Sequence, residues 1–317
     1  PDVSAPTEVM APQTGTGSAG KMFNGTSCAS PVAAGAMAIL KQRFPAAALE
    51  ELKALMLCSA NHDVYLLTNG VSPRLQPSRA GVGRVDLASA LNAPIIAYAT
   101  NSPGTIHGSF DLLAAGAVTQ MERQVRIVNR SGTAQTLRIG YESLADVPGA
   151  AYSFPWGTNV SLAANASTTI PVRLTAVPSQ LRNTHAPAVA ETQPTQDGVL
   201  PRHWLSEESG YMTLQPASGA ALRLALHAVV RPASILSCTS TQITLGAVTG
   251  AVNLALAGQG VRTGGVFPTN WVSLASAFAL QWRSTNSAQY GCFRGCGVMT
   301  DWPAAQSGGG AFSFLSR

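Results

Sequence analysis

Near residue 95 the hydrophobic spacing of this chain changes, and that change limits its fold more than any other feature. Before it, Leu49, Leu52, Leu55 and Met56 recur every three to four positions, with Glu50, Glu51 and Lys53 off the stripe. That period predicts an amphipathic helix opened by Pro45, and adjacent acids on a helix do not converge, so Glu50 and Glu51 read as a solvated face. After Ile95 alternation takes over. Val125 and Ile127 alternate with Gln124 and Arg126, and Leu137, Ile139 and Tyr141 alternate with Thr136 and Arg138. With Asn129-Arg130-Ser131-Gly132 between them, these runs predict a β-hairpin. Val160 and Leu162, then Ile170, Val172 and Leu174, repeat the pattern across 163–166. Leu222, Leu224, Leu226 and Ala228 supply a further strand after the one at 211–214. Several short strands of this kind predict a sandwich over 95–232. Pro171, which has no amide to give a ladder, predicts a sheet edge, and 178–201 is too long for a hairpin turn and predicts an exposed excursion. From 233 to 317, Ile243, Leu245, Val252, Leu254 and Leu256 are broken by glycines and predict a second small β module.

The 317 residues allow two or three units, and 46% hydrophobic residues are enough for real cores. Only 11% are charged and the net charge of +5 is spread thinly. Phosphate recognition needs clustered Lys and Arg, so nucleic acid is excluded as a partner. Residues 22–40 carry no charge, but they include Asn24, Gly25, two serines beside Cys28, and Pro31. They predict a buried helix and no membrane span.

Chemistry concentrates where that helix starts, at Asn24-Gly25-Thr26-Ser27-Cys28-Ala29-Ser30-Pro31. Gly25 lets the backbone turn sharply and lets a carbonyl approach. Thr26 and Ser27 sit where a helix begins, and its unpaired amides and positive dipole end favour an oxyanion. Pro31 fits the first turn of a helix beginning near Cys28. Taken alone, Gly-Thr-Ser is equally a helix cap. The longer string resembles the Gly-Thr-Ser-x-Ala-Ser-Pro signature of the subtilisin-like serine peptidases. Pro1-Asp2-Val3-Ser4-Ala5-Pro6 resembles the strand and turn leading to that family's serine loop, and Gly83-Arg84-Val85-Asp86 its closing segment. Departures are Thr7 for the usual turn glycine, Val32-Ala33 after Ser-Pro, and Cys28 where methionine is common; Cys28 reads as a small buried hydrophobe.

The resemblance implies that 1–94 is the C-terminal portion of an α/β catalytic domain with a parallel sheet, followed by an all-β part of fibronectin-type-III-like sandwich. It implies Ser27 as nucleophile, Asn24, Gly25 and Thr26 as the oxyanion and substrate loop, polypeptide substrates and an extracellular setting. No cofactor or metal is expected in this chain; structural calcium is implied only for other parts of such a domain. The family's chain order is Asp, His, Ser, yet none of the 26 residues before Ser27 is histidine, and His62, His107, His185, His203 and His227 all follow it. The expectation is therefore a fragment of a larger peptidase, inactive alone. The alternative is a non-catalytic adhesion or scaffold protein in which Ser27 survives as a cap.

Cys292 and Cys296 are spaced to pair with each other or with Cys238 in an oxidising compartment, while Cys28 and Cys58 read as free thiols on helices. Trp271, Trp282 and Trp302 suit a core, with an aromatic platform for cell-wall polysaccharide as the second use. Asn24, Asn129, Asn159 and Asn165 each begin an Asn-x-Ser/Thr triplet, read as chance occurrences.

Overall fold

The computed structural model describes residues 1–67, 72–101, 103–196, 198–201, 205–239, 255–265 and 269–273. The chain opens with an antiparallel hairpin, β1 (Val9–Pro12) and β2 (Gly20–Phe23), and then four helices: α1 (Thr26–Arg43), α2 (Leu49–Cys58), α3 (Pro77–Ala80) and α4 (Leu87–Leu91). Eleven further strands follow: β3 (Ile95–Ala99), β4 (Gly108–Ala115), β5 (Thr119–Asn129), β6 (Gln135–Ala145), β7 (Ala150–Ser153), β8 (Asn159–Leu162), β9 (Ser167–Ala176), β10 (Thr192–Thr195), β11 (Gly198–Pro201), β12 (Glu207–Pro216) and β13 (Leu222–Pro232). A last short pair is β14 (Ser237–Cys238) with β15 (Leu256–Ala257).

Two sheets carry the fold after residue 94. One runs β4-β13-β12-β6-β8, parallel only between β4 and β13, and the other runs β3-β5-β9-β7 and is antiparallel throughout. Alternate residues point inward, as the period of two requires: Ile170, Val172 and Leu174 from β9 meet Leu137 and Ile139 from β6 and Leu222, Leu224 and Leu226 from β13 in one core.

Strand positions read from the alternation are present, but two predicted pairings are not. β5 and β6 lie in different sheets, and so do β8 and β9, so each connection crosses the sandwich instead of closing a hairpin. Asn129 explains the first crossing. It is fully buried; its amide nitrogen donates to the Thr133 and Ala163 carbonyls at 2.7 and 2.8 Å, and its Oδ1 accepts from the Ser131 amide at 3.0 Å. This Asx turn folds the chain away from its own strand. Burial also rules Asn129 out as a glycan acceptor.

Pro171 is not on an edge strand, since β9 lies between β5 and β7. It is tolerated because β7 pairs only as far as Ser153 opposite Arg173, leaving that side of Pro171 unpaired. The 178–201 excursion is partly anchored: Leu181, Asn183, Ala186 and Ala188 are buried before the β10–β11 hairpin.

The helices do not form a separate body. α2 packs on β3 and β13, one strand of each sheet, and α3 on β12 and β13. Leu52, Leu55 and Leu57 of α2 therefore join the same hydrophobic cluster as the sandwich. Helix α2 starts at Leu49 rather than Pro45, with Ala48 in extended backbone before it. Its Glu50 is not simply solvated, because Oε1 accepts from the Gly104 amide at 3.2 Å while Lys53 Nζ donates to the Gly104 carbonyl at 2.9 Å. Asp86 caps α4 by accepting from the Ser89 amide at 2.9 Å.

The parallel sheet expected for 1–94 is not formed among the described residues. Parallel pairing there is confined to one bridge, Ser4 to Arg84. A parallel sheet needs several strands joined by crossovers, and the other pairings of this segment, the β1–β2 hairpin and the bridges of His62 to Arg84 and Tyr65 to Arg74, are antiparallel. In the last part, Cys238 is exposed and Trp271 half-buried, whereas Ile243, Leu245, Val252, Leu254, Trp282, Cys292, Cys296 and Trp302 lie outside the described residues.

Candidate active-site serine

Ser27 is the second residue of α1. Gly25 precedes the helix at φ 113°, a conformation L side chains rarely adopt, which makes glycine the residue for this turn. The first backbone bonds run from the Cys28 and Ala29 amides to the Gly25 carbonyl, at 2.9 and 3.3 Å. The Thr26 and Ser27 amides lie ahead of them, at the positive end of the helix. Asn24, Gly25, Thr26 and Ser27 are all exposed.

The helix starts two residues earlier than the proline suggests. Pro31 therefore falls inside α1 and withholds the amide that would bond the Ser27 carbonyl. Little of α1 is covered: only Ala36 and Leu40 are buried, while Ile39 is exposed although apolar. An open groove of about 440 Å³ runs along its uncovered side, between Pro31, Val32, Gly35 and Ile39 and the opposite wall of Pro6, Arg84, Val85 and Leu87. Cys28 is half-buried with a free thiol. Cys58 is fully buried, donates from Sγ to the Ala97 carbonyl at 3.0 Å, and burial pushes its thiol up to about 12.

No base meets the serine: the Ser27 hydroxyl has no hydrogen-bond partner among the described residues. Three histidines are instead tied to carboxylates elsewhere. His62 Nε2 lies 3.1 Å from Asp86 Oδ2, His107 Nε2 lies 3.3 Å from Asp2 Oδ1, and His227 Nε2 lies 3.7 Å from Glu207 Oε1. The His107 contact holds the Asp2 carboxyl below its ordinary range, against the opposing effect of partial burial. Among the described residues no group of three or more His, Cys, Asp or Glu could hold a metal ion, and no helix is long and apolar enough to cross a membrane.

Sequence reasoning missed the polar seam that joins these helices to the sandwich. Arg223 of β13 reaches Asp63 Oδ1 at 2.6 Å and the Asn61 carbonyl at 2.7 Å. Arg74 bridges Asp63 at 3.0 Å and Glu142 of β6 at 2.7 Å. Both guanidinium groups lie over the Tyr211 ring, Arg223 at 5.0 Å and Arg74 at 5.7 Å from its centroid, and Tyr211 donates its hydroxyl proton to the Gly81 carbonyl at 3.0 Å. Beside it, Glu207 accepts from Ser78 of α3 at 3.0 Å and from Ser209 at 2.6 Å. The next residue, Glu208, is buried too and accepts from Tyr141 at 3.0 Å and from the Val147 amide at 2.8 Å; burial raises its carboxyl to about 7. Two consecutive acids at the start of a strand, Glu207-Glu208, were the one visible signal.

Compared with known proteins, residues 1–85 match the model of the subtilase family. That match supports a subtilisin-like serine-peptidase origin for this segment. No curated protein matches the chain. Among solved structures, a FixG-related protein from Vibrio parahaemolyticus is similar at 9% identity over 43% of this chain and 96% of its own, with a TM-score of 0.27. The PapD-like domain 7 of human CEP192 is similar at 11% identity over 44% and 87%, with a TM-score of 0.27. WR4, an MSP family member of C. elegans, is similar at 7% identity over 38% and 91%, with a TM-score of 0.20.

Proposed function

We propose that Ser27 is the nucleophile of an extracellular subtilisin-like serine endopeptidase, and that this chain carries the serine while the histidine and aspartate come from residues outside it. The observation that carries this reading is an exposed serine on the first turn of a helix, behind a left-handed glycine, inside the segment that matches the subtilase family. Ser27 Oγ attacks the scissile carbonyl carbon as its proton passes to the imidazole. The carbonyl oxygen becomes an oxyanion facing the Ser27 amide and the positive end of α1. Collapse breaks the C–N bond, the leaving amine takes the proton from the imidazolium, and water then hydrolyses the acyl ester. Asn24, Gly25 and Thr26 line the approach of the substrate carbonyl. No cofactor enters this chemistry, and the substrate class is polypeptide.

The test is labelling by a fluorophosphonate. The chain alone is expected to label no faster than its Ser27→Ala variant, because a serine without a base is an ordinary alcohol. In the full-length protein, labelling is expected at Ser27. A second reading, a non-catalytic scaffold, draws on the absence of any described base beside Ser27. Full-length protein that stays unlabelled would establish it.

A further inference from the structure

We infer that Tyr211, on a strand of the sandwich, is a positioning residue for Ser27, acting through the ribbon 80–85. This inference rests on the reading of Ser27 as a nucleophile. The ribbon is where the two parts of the molecule are registered on each other. Gly81 stands at φ 63°, and a Cβ there would fall 2.3 Å from the Asp2 backbone. The Val82 amide donates to the Asp2 carbonyl at 3.1 Å, the Ser4 amide to Gly83 at 2.8 Å, and the Val85 amide to Ser4 at 2.8 Å. Ser4 Oγ adds a bond to the Ala80 carbonyl at 3.0 Å. Residues 2–4 are thus laced to 80–85, and they lead through Pro6 to the β1–β2 hairpin and the serine turn.

The same ribbon continues into the wall that faces α1. Arg84, Val85 and Leu87, with Pro6, stand across the groove from Pro31, Val32 and Gly35, one turn beyond Ser27. The N-terminal half of α1 has no fully buried residue, since its first is Ala36, so the wall across the groove is among the contacts that locate it. What fixes the ribbon therefore bears on where Ser27 points.

Tyr211 fixes it from the sandwich side. Its ring is 2% exposed, its hydroxyl holds the Gly81 carbonyl, and the two guanidinium groups over the ring are themselves held by Asp63 and Glu142. A ring gripped this way delivers one hydrogen bond in one place. Removing only the hydroxyl should let the ribbon drift without emptying the core. Displacements of about 1 Å remote from the chemistry lower rates by up to about 100-fold.

The experiment compares the full-length protein with its Tyr211→Phe variant, using peptide hydrolysis per active site and the rate of fluorophosphonate labelling per folded molecule. The expected result is a fall of about 10-fold in kcat and in labelling rate, with KM changed less than about twofold. Arg223→Lys, which loosens the grip but leaves the hydroxyl, is expected to fall between the two and covers the case in which Tyr211→Phe folds poorly. A Tyr211→Phe protein that melts earlier but labels within twofold of wild type overturns the positioning role alone. Wild-type protein that does not label overturns the nucleophile reading and the positioning role with it.

Discussion

Helix α1 and strand β13 are both rich in apolar residues, yet they are treated oppositely by the fold. β13 lies inside a five-stranded sheet with Leu222, Leu224, Leu226, Ala228 and Val230 all buried, whereas the 18 residues of α1 bury only Ala36 and Leu40. The sandwich closes one core together with α2. The serine helix is held at its C-terminal half and left open along the groove. The helix that carries Ser27 is thus sparsely covered, and the free energy of folding comes mainly from apolar area removed from water elsewhere.

The largest expected effect that sharpens this contrast is kinetic. Ser27→Ala in the full-length protein should lower peptide turnover by about four to six powers of ten. The same substitution should leave the melting temperature of this chain nearly unchanged, because the side chain is exposed and unbonded; turnover assays paired with calorimetry check both. A second comparison runs within α1 itself. Leu40→Ala, at a fully buried position, should cost about 2–5 kcal/mol, and its neighbour Ile39→Ala, 44% exposed, less than about 1 kcal/mol by denaturant titration. Equal costs would mean that the groove side of α1 is covered after all.

The smallest effect probes the sandwich side of the seam. Burial raises the Glu208 carboxyl from 4.5 to about 7, so the folded state holds this proton more tightly than the unfolded chain. The stability this group contributes is present in full below about pH 4.5 and is lost as pH rises through about 7. Glu208→Gln should remove that slope and stabilise the protein by about 1–3 kcal/mol at pH 8 relative to wild type. Melting curves from pH 4 to 8 decide it; an unchanged slope would place the pH dependence in another group.

Much of the secondary structure was legible because period alone reports it. Alternation at 124–128, 136–141, 170–174 and 222–228 marks β5, β6, β9 and β13, and the charge-free run after Ser27 marks α1. Pairing was not legible. The turn at Asn129 has the composition of a hairpin, and only the Ala163 carbonyl its amide meets, 34 residues on, reveals that it crosses between sheets. The serine motif was visible as a string of residue types, since a sharp glycine turn ahead of a helix is local chemistry. Its surroundings were not: Tyr211 meets Gly81 across 130 residues and Arg223 meets Asp63 across 160.

By itself the sequence determined which stretches are helix and which are strand, that the serine lies where its helix begins, and which stretch resembles a peptidase, because each depends on neighbours within a few positions. Tertiary structure alone decided that the helices share one core with the sandwich, that Pro171 is sheltered by the short length of β7, and that two arginines close over Tyr211. Those outcomes depend on which surfaces meet when apolar area leaves water and on which buried polar groups then find partners, and neither is written in the spacing of residues along the chain.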